Sequence, residues 1–566
     1  MLWWARNQHD RATEGSETGR DPVTFNRQIA PIVFKHCAPC HRPGQSAPFS
    51  LLTYEDTRRH SRQIVEVTAR RFMPPWLPEP GYGEFAEPRI LTQQEIRLIG
   101  KWATNGAPEG PPDMGPPLPD WPGGWQLGKP DLVVEMPESY RLGADGRDVY
   151  RNFVMPIPTA LRRYVRDVEF RAGNNRVVHH AAMRVDRTRL SRRADEQDPG
   201  PGFGGMGMPP STEAPGGHFL NWQPGKMPYR SPPELAWILD PDTDLVLQLH
   251  LHPSGREEII QGSIGFYFTD RAPTHPTFKL ILDSASIDIP PGKADYVIED
   301  RYTLPVDADL RVVFPHAHYL AREMRAWAQF PDGTRSWLLF IKDWDLNWQG
   351  DYPLARPLFL PQGTTLFMRF TYDNSTANPR NPHSPPQRVV FGPESTDEMG
   401  EMWFQVVPRV ASDGTRLQQD YASQVLRKAI QDYGRRVRAN PEDAFAQGQL
   451  GRAFAIAGRH EEAQVHLQAA IKLRFSDDEA HYFLGLIHRT RQNIVDARQE
   501  FERTLQLNPA HYKAHGNLGM MSLSVGALDD AEYHFQSALR VHPGDAIAKQ
   551  GLLEIRDLRA AGRKEP

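Results

Sequence analysis

The sequence predicts a multidomain protein with a small all-α domain, two all-β sandwich domains of jelly-roll type and a C-terminal α-helical solenoid. Three observations predict this fold class: amphipathic helix patterns near the N-terminus, short alternating apolar runs in the middle, and a 34-residue repeat near the end. The chain of 566 residues also exceeds the usual size of one domain. The expected order is an unstructured lead over 1–20, the all-α domain over 21–110, a Pro/Gly-rich linker over 111–128, β domains over 129–275 and 276–410, a connecting helix over 411–436 and the solenoid over 437–566.

The charge balance argues against nucleic acid as a partner. The net charge is −4, from 66 basic and 70 acidic residues, and no basic stripe could neutralise a run of phosphates. No stretch reaches the roughly 20 consecutive apolar residues that a transmembrane helix needs, so we expect no transmembrane segment. The start, Met1 to Gln8, lacks the basic and apolar regions of a signal peptide.

The first domain contains the motif Cys-x-x-Cys-His, formed by Cys37, Cys40 and His41. This spacing is typical of covalent c-type haem attachment, whereas a zinc site would need further ligands at similar spacing. Because haem attachment requires thiols that stay available outside the cytoplasm, we expect a periplasmic or otherwise extracytoplasmic location. Since no signal peptide is visible, we expect either that the true start lies upstream or that the chain is already processed.

Two helix patterns bracket this motif. Apolar residues recur from Phe25 to Val33 as in an amphipathic helix that ends at the motif. A second helix pattern follows a capping box over Thr92 to Glu95 and ends at Gly106. The arrangement resembles a class I cytochrome c over residues 21–110. The resemblance implies one covalently bound haem c and a sixth ligand to the haem iron.

The sixth ligand is expected between the two helices. Met73 lies there in a proline-stiffened loop, and a thioether is a common axial ligand that raises the reduction potential. We therefore predict Met73 as the ligand. His60 is the alternative, and a packing role for Met73 also stays open.

The sequence pattern changes at about residue 129, after a segment rich in proline and glycine. The segment from Ala107 to Trp125 is dominated by proline and glycine, which sustain neither a helix nor a central strand. Downstream, runs such as Leu245 to Leu249 and Ile264 to Phe268 are divided by turn residues. We therefore expect an all-β region up to about Pro408, organised as two sandwiches.

The C-terminal part repeats itself every 34 residues, as Gly451, Gly485 and Gly519 illustrate. This period resembles tetratricopeptide repeats, in which each unit is a helical hairpin that buries its apolar face only against its neighbours. The resemblance implies a concave surface for a protein or peptide partner. A stabilising cap without a ligand is the alternative.

Histidines in the predicted β region occur in pairs. They are His179 with His180, His250 with His252, and His316 with His318. Residues i and i+2 of a strand point to one face, so the two His-x-His pairs can each present two imidazoles to one ion. The adjacent pair can do so only where the strand bulges or ends. We expect the last pair near the start of the strand that runs on to Phe330.

The middle region resembles the copper type II, ascorbate-dependent monooxygenases, the family of peptidylglycine α-hydroxylating monooxygenase and dopamine β-monooxygenase. Its first-domain motif matches Val178-His179-His180 and Leu247-Gln248-Leu249-His250, and its second-domain motif matches His316-x-His318 and Asp397-Glu398-Met399. The resemblance implies two copper ions. His179, His180 and His250 would hold the electron-transfer copper, and His316, His318 and Met399 would hold the catalytic copper that binds dioxygen.

Several residues depart from the family pattern. No disulfide can form, since both cysteines belong to the haem motif. Phe314 stands where the peptide-hydroxylating members carry an arginine that grips a substrate carboxylate, so a C-terminal glycine peptide is not expected as the substrate. His252 could compete for the first copper, and Met402 or Met324 could replace Met399.

The expected function is hydroxylation of a substrate C–H bond with dioxygen, with electrons from an external donor entering through the haem domain. The substrate class stays open, because pocket specificity depends on loops that a sequence does not place. The alternative is a non-catalytic haem and copper protein that transfers electrons or senses oxygen or copper, and whose repeats bind a partner. A scaffold with vestigial metal sites is a third possibility.

Overall fold

The computed structural model describes residues 22–45, 47–86, 88–119, 125–146, 148–224, 226, 228, 230–392, 394–474 and 476–562. The lead predicted over 1–20 lies outside these residues. Contacts divide the chain into two units, Met1–Trp76 with Arg89–Asp120 and Leu77–Pro88 with Trp121–Pro566. Within the described residues, no helix combines the length and apolar character needed to cross a membrane.

The first unit is helical and surrounds a core that contains Phe25, Ile29, Val33 and Trp102. A π-helical turn over Phe25–Ile29 leads into the first helix, and the capping box predicted at Thr92 is present at the start of the last. The indole of Trp102 donates a hydrogen bond to the carbonyl of Pro108. The helices are α1 Ala30–His36, α2 Tyr54–Arg59, α3 Ser61–Ala69 and α4 Gln93–Thr104.

The first part of the second unit is β-rich and spans residues 132–269. Its strands are β1 Leu132–Glu135, β2 Tyr140–Leu142, β3 Val149–Pro156, β4 Arg163–Arg171, β5 Val178–Asp186, β6 Phe203–Gly204, β7 Thr212–Glu213, β8 Asn221–Trp222, β9 Trp237–Leu239, β10 Asp244–Leu251, β11 Glu258–Ile260 and β12 Ser263–Thr269, with the helix α5 Leu190–Gln197 after β5. One antiparallel sheet has the order β1-β12-β4-β9 and another the order β6-β3-β10-β5-β7. Phe153 and Leu247 of the second sheet share a core with Phe266 and Phe170 of the first.

A further β-rich part spans residues 278–408. Its strands are β13 Phe278–Asp283, β14 Asp288–Ile289, β15 Tyr296–Thr303, β16 Ala308–Ala317, β17 Ala321–Gln329, β18 Arg335–Ile341, β19 Tyr352–Leu360, β20 Thr365–Tyr372, β21 Val389–Val390 and β22 Gly400–Pro408. The two larger sheets have the orders β13-β22-β16-β19 and β15-β20-β17-β18. Register shifts on β16 and β17 bend these sheets, so their strands curl as β-bulges do.

The segment Leu77–Pro88 belongs to the second unit, although the sequence suggests that it continues the first domain. Its backbone bonds to the edges of β18 and β19, where the N–H of Glu79 donates to Phe340 over 2.7 Å and that of Ala86 to Pro353 over 2.8 Å. Tyr82 packs edge-on against Phe340. Edge strands readily accept such pairing, and no local sequence pattern reports it.

A 27-residue helix, α6 Asp413–Ala439, follows the strands and corresponds to the connecting helix predicted over 411–436. It packs on the second β-rich part, where the Tyr421 hydroxyl donates to the Ile281 carbonyl over 3.0 Å. Lys428 forms ion pairs with Asp283 and Asp300 in the same interface. These contacts anchor α6 to the sheet that contains β13.

Helical hairpins follow α6 in the described residues. The helices are α7 Ala444–Ile456, α8 His460–Leu473, α9 Asp478–Thr490, α10 Ile494–Leu507, α11 Tyr512–Ser524, α12 Leu528–Val541 and α13 Ala546–Gly562. The recurrent glycines lie where the helices of a hairpin touch: a Cβ on Gly485 would be 2.6 Å from the Phe501 ring, and one on Gly519 would be 2.6 Å from the Phe535 ring. The 34-residue spacing therefore reflects close packing within each hairpin.

We expect Gly519→Ala to destabilise the repeats, because its methyl group would overlap the ring of Phe535. Overpacking of this kind costs about 1–3 kcal/mol. Gly516→Ala is the matched control on the same helix, since a Cβ there meets nothing within 4 Å. It should be neutral or stabilise α11 by up to about 1 kcal/mol. Urea unfolding followed by circular dichroism measures both changes, and equal destabilisation would contradict the packing argument.

A buried histidine makes the β-rich part sensitive to pH. The side chain of His218 is buried, and its Nε2–H donates to the carbonyl of Leu235 over 2.8 Å. Burial lowers its pKa to about 4. Between pH 6.5 and about 4, this histidine binds a proton in the unfolded chain but not in the folded chain. Its contribution to the free energy of unfolding is therefore fully present above pH 6.5 and is lost as the pH falls through this range.

We expect His218→Gln to weaken this pH dependence, because an amide retains an N–H donor but does not titrate. The difference in the free energy of unfolding between pH 7 and pH 5 should shrink by about 2 kcal/mol. Urea unfolding followed by tryptophan fluorescence at both pH values tests this. The control is His275→Gln, at a half-exposed side chain. The interpretation is wrong if both variants keep the pH dependence of the unsubstituted protein.

Candidate metal centres

The motif Cys37, Cys40 and His41 forms a turn at the end of α1. The N–H groups of Cys40 and His41 both bond to the carbonyl of Cys37, over 3.1 and 2.9 Å. Burial raises the pKa of the Cys37 thiol to about 12, which favours the protonated thiol in this structure. The turn keeps both thiols and the imidazole within one short segment.

The imidazole of His41 has the tautomer that an axial haem ligand requires. Its Nδ1 lies 3.2 Å from the carbonyl oxygen of Phe49, which can only accept a hydrogen bond. With Nδ1 protonated, the lone pair is on Nε2. A ligating histidine commonly donates its other N–H in this way, so the donor set fits a covalently held haem.

The two predicted candidates for the sixth haem ligand occupy different places. The ring of Phe49 stacks on that of His60, with centroids 3.9 Å apart, and burial together with the nearby His60 lowers the pKa of His41. Met73 follows α3, where its N–H bonds to the Val67 carbonyl over 3.2 Å. Both residues stay candidates.

The first histidine cluster of the second unit depends on a β-bulge. His250 of β10 pairs with His180 of β5, whereas the next residue, Leu251, pairs with Val178. His179 is therefore the extra residue of a bulge, which lets adjacent histidines turn toward one site. The expectation that this pair needs a bulge agrees with the observed register.

Four imidazoles meet at this bulge. The Nδ1 of His180 is 3.0 Å from that of His179 and 3.3 Å from that of His250. One nitrogen from each of His179, His250 and His252 also lies within 4.8 Å of the others. Nitrogens bound at about 2.0 Å to one ion lie about 3–3.5 Å apart, so this cluster could hold a metal. The structure brings the three predicted ligands together and adds His252.

Asp148 and Tyr150 orient this cluster, and the sequence patterns did not single them out. The Asp148 carboxylate accepts from Nε2 of His250 over 2.9 Å and lies 3.1 Å from Nε2 of His252. The ring of Tyr150 stacks on that of His250, with centroids 4.2 Å apart. Burial lowers the pKa of His250 to about 2 and that of His179 to about 4, so both imidazoles stay neutral and able to ligate.

The second cluster lies at the end of β16 and not, as predicted, near the start of the next strand. The Nδ1 of His316 donates to Oε1 of Gln349 over 2.8 Å. The Nδ1 of His318 donates to the carbonyl of Asp397 over 3.2 Å. Both rings therefore have their lone pair on Nε2, and burial lowers the pKa of His318 to about 3. Two imidazoles, each with its Nδ1–H committed to an acceptor, can therefore present Nε2 to one ion.

A buried carboxylate holds this strand end in place. Glu398 is fully buried and accepts hydrogen bonds from the N–H groups of His318, Leu320 and Met399, over 2.5, 2.9 and 2.9 Å. Burial raises the pKa of Glu398, and the three N–H donors oppose this rise because they favour the ionised carboxylate. The pairing of β16 with β22 ends at Ala317, and the next backbone N–H, that of His318, bonds to this carboxylate instead of to a strand. Glu398 therefore satisfies the backbone N–H groups that follow the end of the strand at the histidines.

Met399 lies beside this cluster. It precedes Gly400, whose partner across the sheet is Ala317, and its carbonyl accepts from the Tyr372 hydroxyl over 2.9 Å. Met402 pairs with Pro315 and is fully buried, on the face of the sheet opposite His316. Met324 is fully buried as well. Of the three candidate methionines, Met399 is the one whose backbone lies next to the end of β16. A thioether supplied there beside two imidazoles would suit Cu(I).

The two clusters lie near each other within the second unit. Burial and the neighbouring imidazoles, that of His316 among them, lower the pKa of His180 well below its ordinary value. His180 belongs to the first β-rich part and His316 to the second. Residues from β5, β10 and β16 therefore contribute to one region of the unit.

Comparisons with known proteins identify the C-terminal helices. A family model of the tetratricopeptide repeat matches residues 449–510 and 484–546. Anaphase-promoting complex subunit 3 of Schizosaccharomyces pombe is 26% identical over 111 residues, which cover 20% of this chain and 17% of that protein. A peroxisomal targeting signal receptor of Candida glabrata is 30% identical over 105 residues, which cover 19% of this chain and 18% of the receptor.

Among solved structures, the crystal structure of MamA matches 25% of this chain and 83% of its own, at 22% identity and a TM-score of 0.23. The chain spans only about a fifth of the length of the curated relatives above. The predicted 34-residue register is confirmed by the family match. The C-terminal part of this multidomain chain consists of tetratricopeptide repeats.

Proposed function

We propose that the chain is a copper-dependent monooxygenase that hydroxylates a substrate C–H bond with dioxygen. The observation that supports this most is the pair His316 and His318, whose Nδ1–H groups are both committed to acceptors so that both Nε2 lone pairs are available. With Met399 alongside, this donor set suits an ion that must also leave a position open for dioxygen. The two sandwich domains expected from the family resemblance are part of the same proposal.

The proposed copper ligands form two sites with different roles. His316, His318 and Met399 would hold the copper at which dioxygen and substrate meet, while Glu398 positions the backbone of two of them by accepting from the N–H groups of His318 and Met399. Copper bound there would supply one-electron chemistry for dioxygen activation. The overall reaction inserts one oxygen atom as hydroxyl and releases the other as water, which consumes two electrons and two protons.

The first cluster would supply one of those electrons. His179, His180 and His250 are the proposed ligands of the second copper, with His252 as a competing imidazole at the same bulge. Asp148 accepts a hydrogen bond from Nε2 of His250 and so fixes the tautomer of that ring. Neutral, buried imidazoles bind a soft cation without first losing a proton, which suits a redox site at neutral pH.

The N-terminal unit would carry electrons into the chain. Cys37 and Cys40 would attach a haem c through thioether bonds, and His41 with Met73 or His60 would hold its iron. An external donor would then take the place of the ascorbate that serves the resembled family. Haem attachment also supports the proposed periplasmic or otherwise extracytoplasmic location.

The second candidate function is non-catalytic. Tetratricopeptide repeats suggest a protein partner, and α6 anchors them to a β-rich part that carries one histidine cluster. In that alternative, haem and copper relay electrons or sense oxygen while the repeats report to a partner. Substrate-dependent oxygen uptake separates the two functions, since only the monooxygenase consumes dioxygen in proportion to a hydroxylated product.

We expect His316→Ala to abolish substrate-dependent oxygen uptake in haem-loaded, copper-loaded protein. Loss of a residue that merely orients a ligand costs about 10–100-fold, so loss of the imidazole itself should exceed about 100-fold. An oxygen electrode with a substrate panel gives the rate. His275→Ala, outside both clusters, is the control. The proposed function fails if no substrate stimulates uptake, or if His316→Ala equals the control.

We expect Glu398→Gln to lower copper affinity at the second cluster alone, by about 10–100-fold. An amide offers one acceptor oxygen to the three backbone N–H groups that two carboxylate oxygens now serve. Copper per protein at limiting copper, with electron paramagnetic resonance of Cu(II), measures occupancy at each cluster. The exposed Glu299→Gln serves as control. Loss at both clusters would point to global unfolding and contradict the assigned role.

A further inference from the structure

Three helical hairpins of the repeats each join their two helices through a side-chain pair at the same positions, 19 residues apart. We call α7 with α8 the first hairpin, α9 with α10 the second and α11 with α12 the third. The pairs are Gln447 with His466, His481 with Glu500, and His515 with His534, whose nearest polar atoms are 2.7, 2.7 and 2.9 Å apart. The third pair differs from the others because both of its members are imidazoles.

A single proton holds the third pair together. Nε2 of His515 lies 3.2 Å from the carbonyl oxygen of Pro509, which can only accept a hydrogen bond. His515 therefore carries its proton on Nε2 and has its lone pair on Nδ1. The Nδ1–H of His534 must then donate to that lone pair, over 2.9 Å. His515 is buried, and only 12% of the His534 side chain is exposed, so water does not readily replace this bond.

A further proton on His515 is incompatible with this arrangement. The proton would have to sit on Nδ1, where it would face the Nδ1–H of His534. Burial lowers the pKa of His515 to about 4, and the nearby His534, Arg540 and His511 lower it further, while the bond to the Pro509 carbonyl opposes them. The contribution of His515 to stability is therefore fully present above pH 6.5 and is lost as the pH falls toward 4.

The charged groups around His534 do not remove this sensitivity. Its Nε2 lies 3.7 Å from the carboxylate of Asp530 on the same helix. Asp530 and Glu502 of α10 favour a positive charge on the ring, whereas Arg498 of α10 opposes it. Burial outweighs both carboxylates, so the pKa of His534 is lowered as well. Both members of the third pair therefore resist protonation in the folded chain.

The equivalent pairs of the other hairpins keep their hydrogen bond when the histidine gains a proton. The Nε2 of Gln447 donates to the carbonyl of Pro441 over 2.9 Å, so the amide oxygen faces Nδ1–H of His466. A proton added at Nε2 of His466 leaves that bond in place. A protonated His481 binds the carboxylate of Glu500 more strongly, because the hydrogen bond becomes charge-assisted.

We propose that the His515–His534 pair makes the third hairpin an acid-labile element, which opens more readily in mild acid than the first two hairpins. Repeats contact mainly their neighbours, so one hairpin can open locally. The carbonyl of Val541, at the end of α12, accepts the N–H of Arg189 over 2.6 Å. Opening of the third hairpin therefore also releases this anchor to the first β-rich part. The inference does not depend on the proposed metal sites.

The test is hydrogen exchange of the haem-matured full chain at pH 7 and pH 5, followed by mass spectrometry of peptides and corrected for intrinsic exchange rates. A histidine pKa of about 6.5 in the open state and about 4 in the closed state predicts a fall in the protection of α11 and α12 of about 20-fold. The peptide that contains Arg189 should lose protection with them. Protection of α9 and α10 should fall by no more than about 3-fold.

Two substitutions rebuild the pairs of the other hairpins at the third. His515→Gln reproduces the glutamine–histidine pair of the first hairpin, and His534→Glu reproduces the histidine–glutamate pair of the second. Each should reduce the acid-induced loss of protection in α11 and α12 to less than about 5-fold. His466→Gln, at the same position of the first hairpin, is the matched control and should keep the loss of about 20-fold in the third.

Three results would overturn the proposal. The third hairpin loses no more protection than the second, all three hairpins lose protection equally, or both rebuilt pairs keep the full loss. The last result would assign the acid response to groups other than the two imidazoles. A loss confined to the third hairpin and its Arg189 anchor, and reduced by either rebuilt pair, supports the proposal.

Discussion

The candidate catalytic site depends on one buried interaction, the acceptance of three backbone N–H groups by the carboxylate of Glu398. A strand that ends inside a protein leaves backbone donors without partners, and such groups are costly unless something accepts them. Glu398 accepts them at the end of β16, where His318 leaves the sheet. Because the N–H of Met399 is one of its three donors, the same carboxylate also holds the backbone of the proposed thioether ligand.

The two histidine clusters use different backbone solutions for the same chemical requirement. At the first, a bulge at His179 brings adjacent imidazoles to one side of β5. At the second, the alternation of a strand presents His316 and His318 together at its end. Each solution places acceptors such as Asp148 and Gln349 behind the imidazoles, so the rings are oriented before any ion binds. Preorganisation of this kind lowers the entropic cost of binding.

The repeats are joined to the β-rich parts at more than one place. α6 packs on β13 through Tyr421 and Lys428, and the backbone N–H of Arg189 donates to the carbonyl of Val541 at the end of α12 over 2.6 Å. Repeat arrays contact mainly their nearest neighbours, so such anchors decide how an array is held. A partner bound to the repeats would act on a surface fixed to the β-rich region that holds both histidine clusters.

The sequence by itself determined the features that depend on local pattern. The 34-residue register is visible because glycine recurs wherever two helices pack too closely for a larger residue. The capping box at Thr92 and the turn over Cys37 to His41 are visible because they depend on residues only a few positions apart. The paired histidines also stand out without any structure. Only the tertiary fold brings the groups behind these histidines into place: Asp148 beside His250, Glu398 beside His318 and Gln349 beside His316. These residues lie 33 to 102 positions along the chain from the histidines that they bond to, and hydrogen bonds across such separations leave no periodic trace in the sequence.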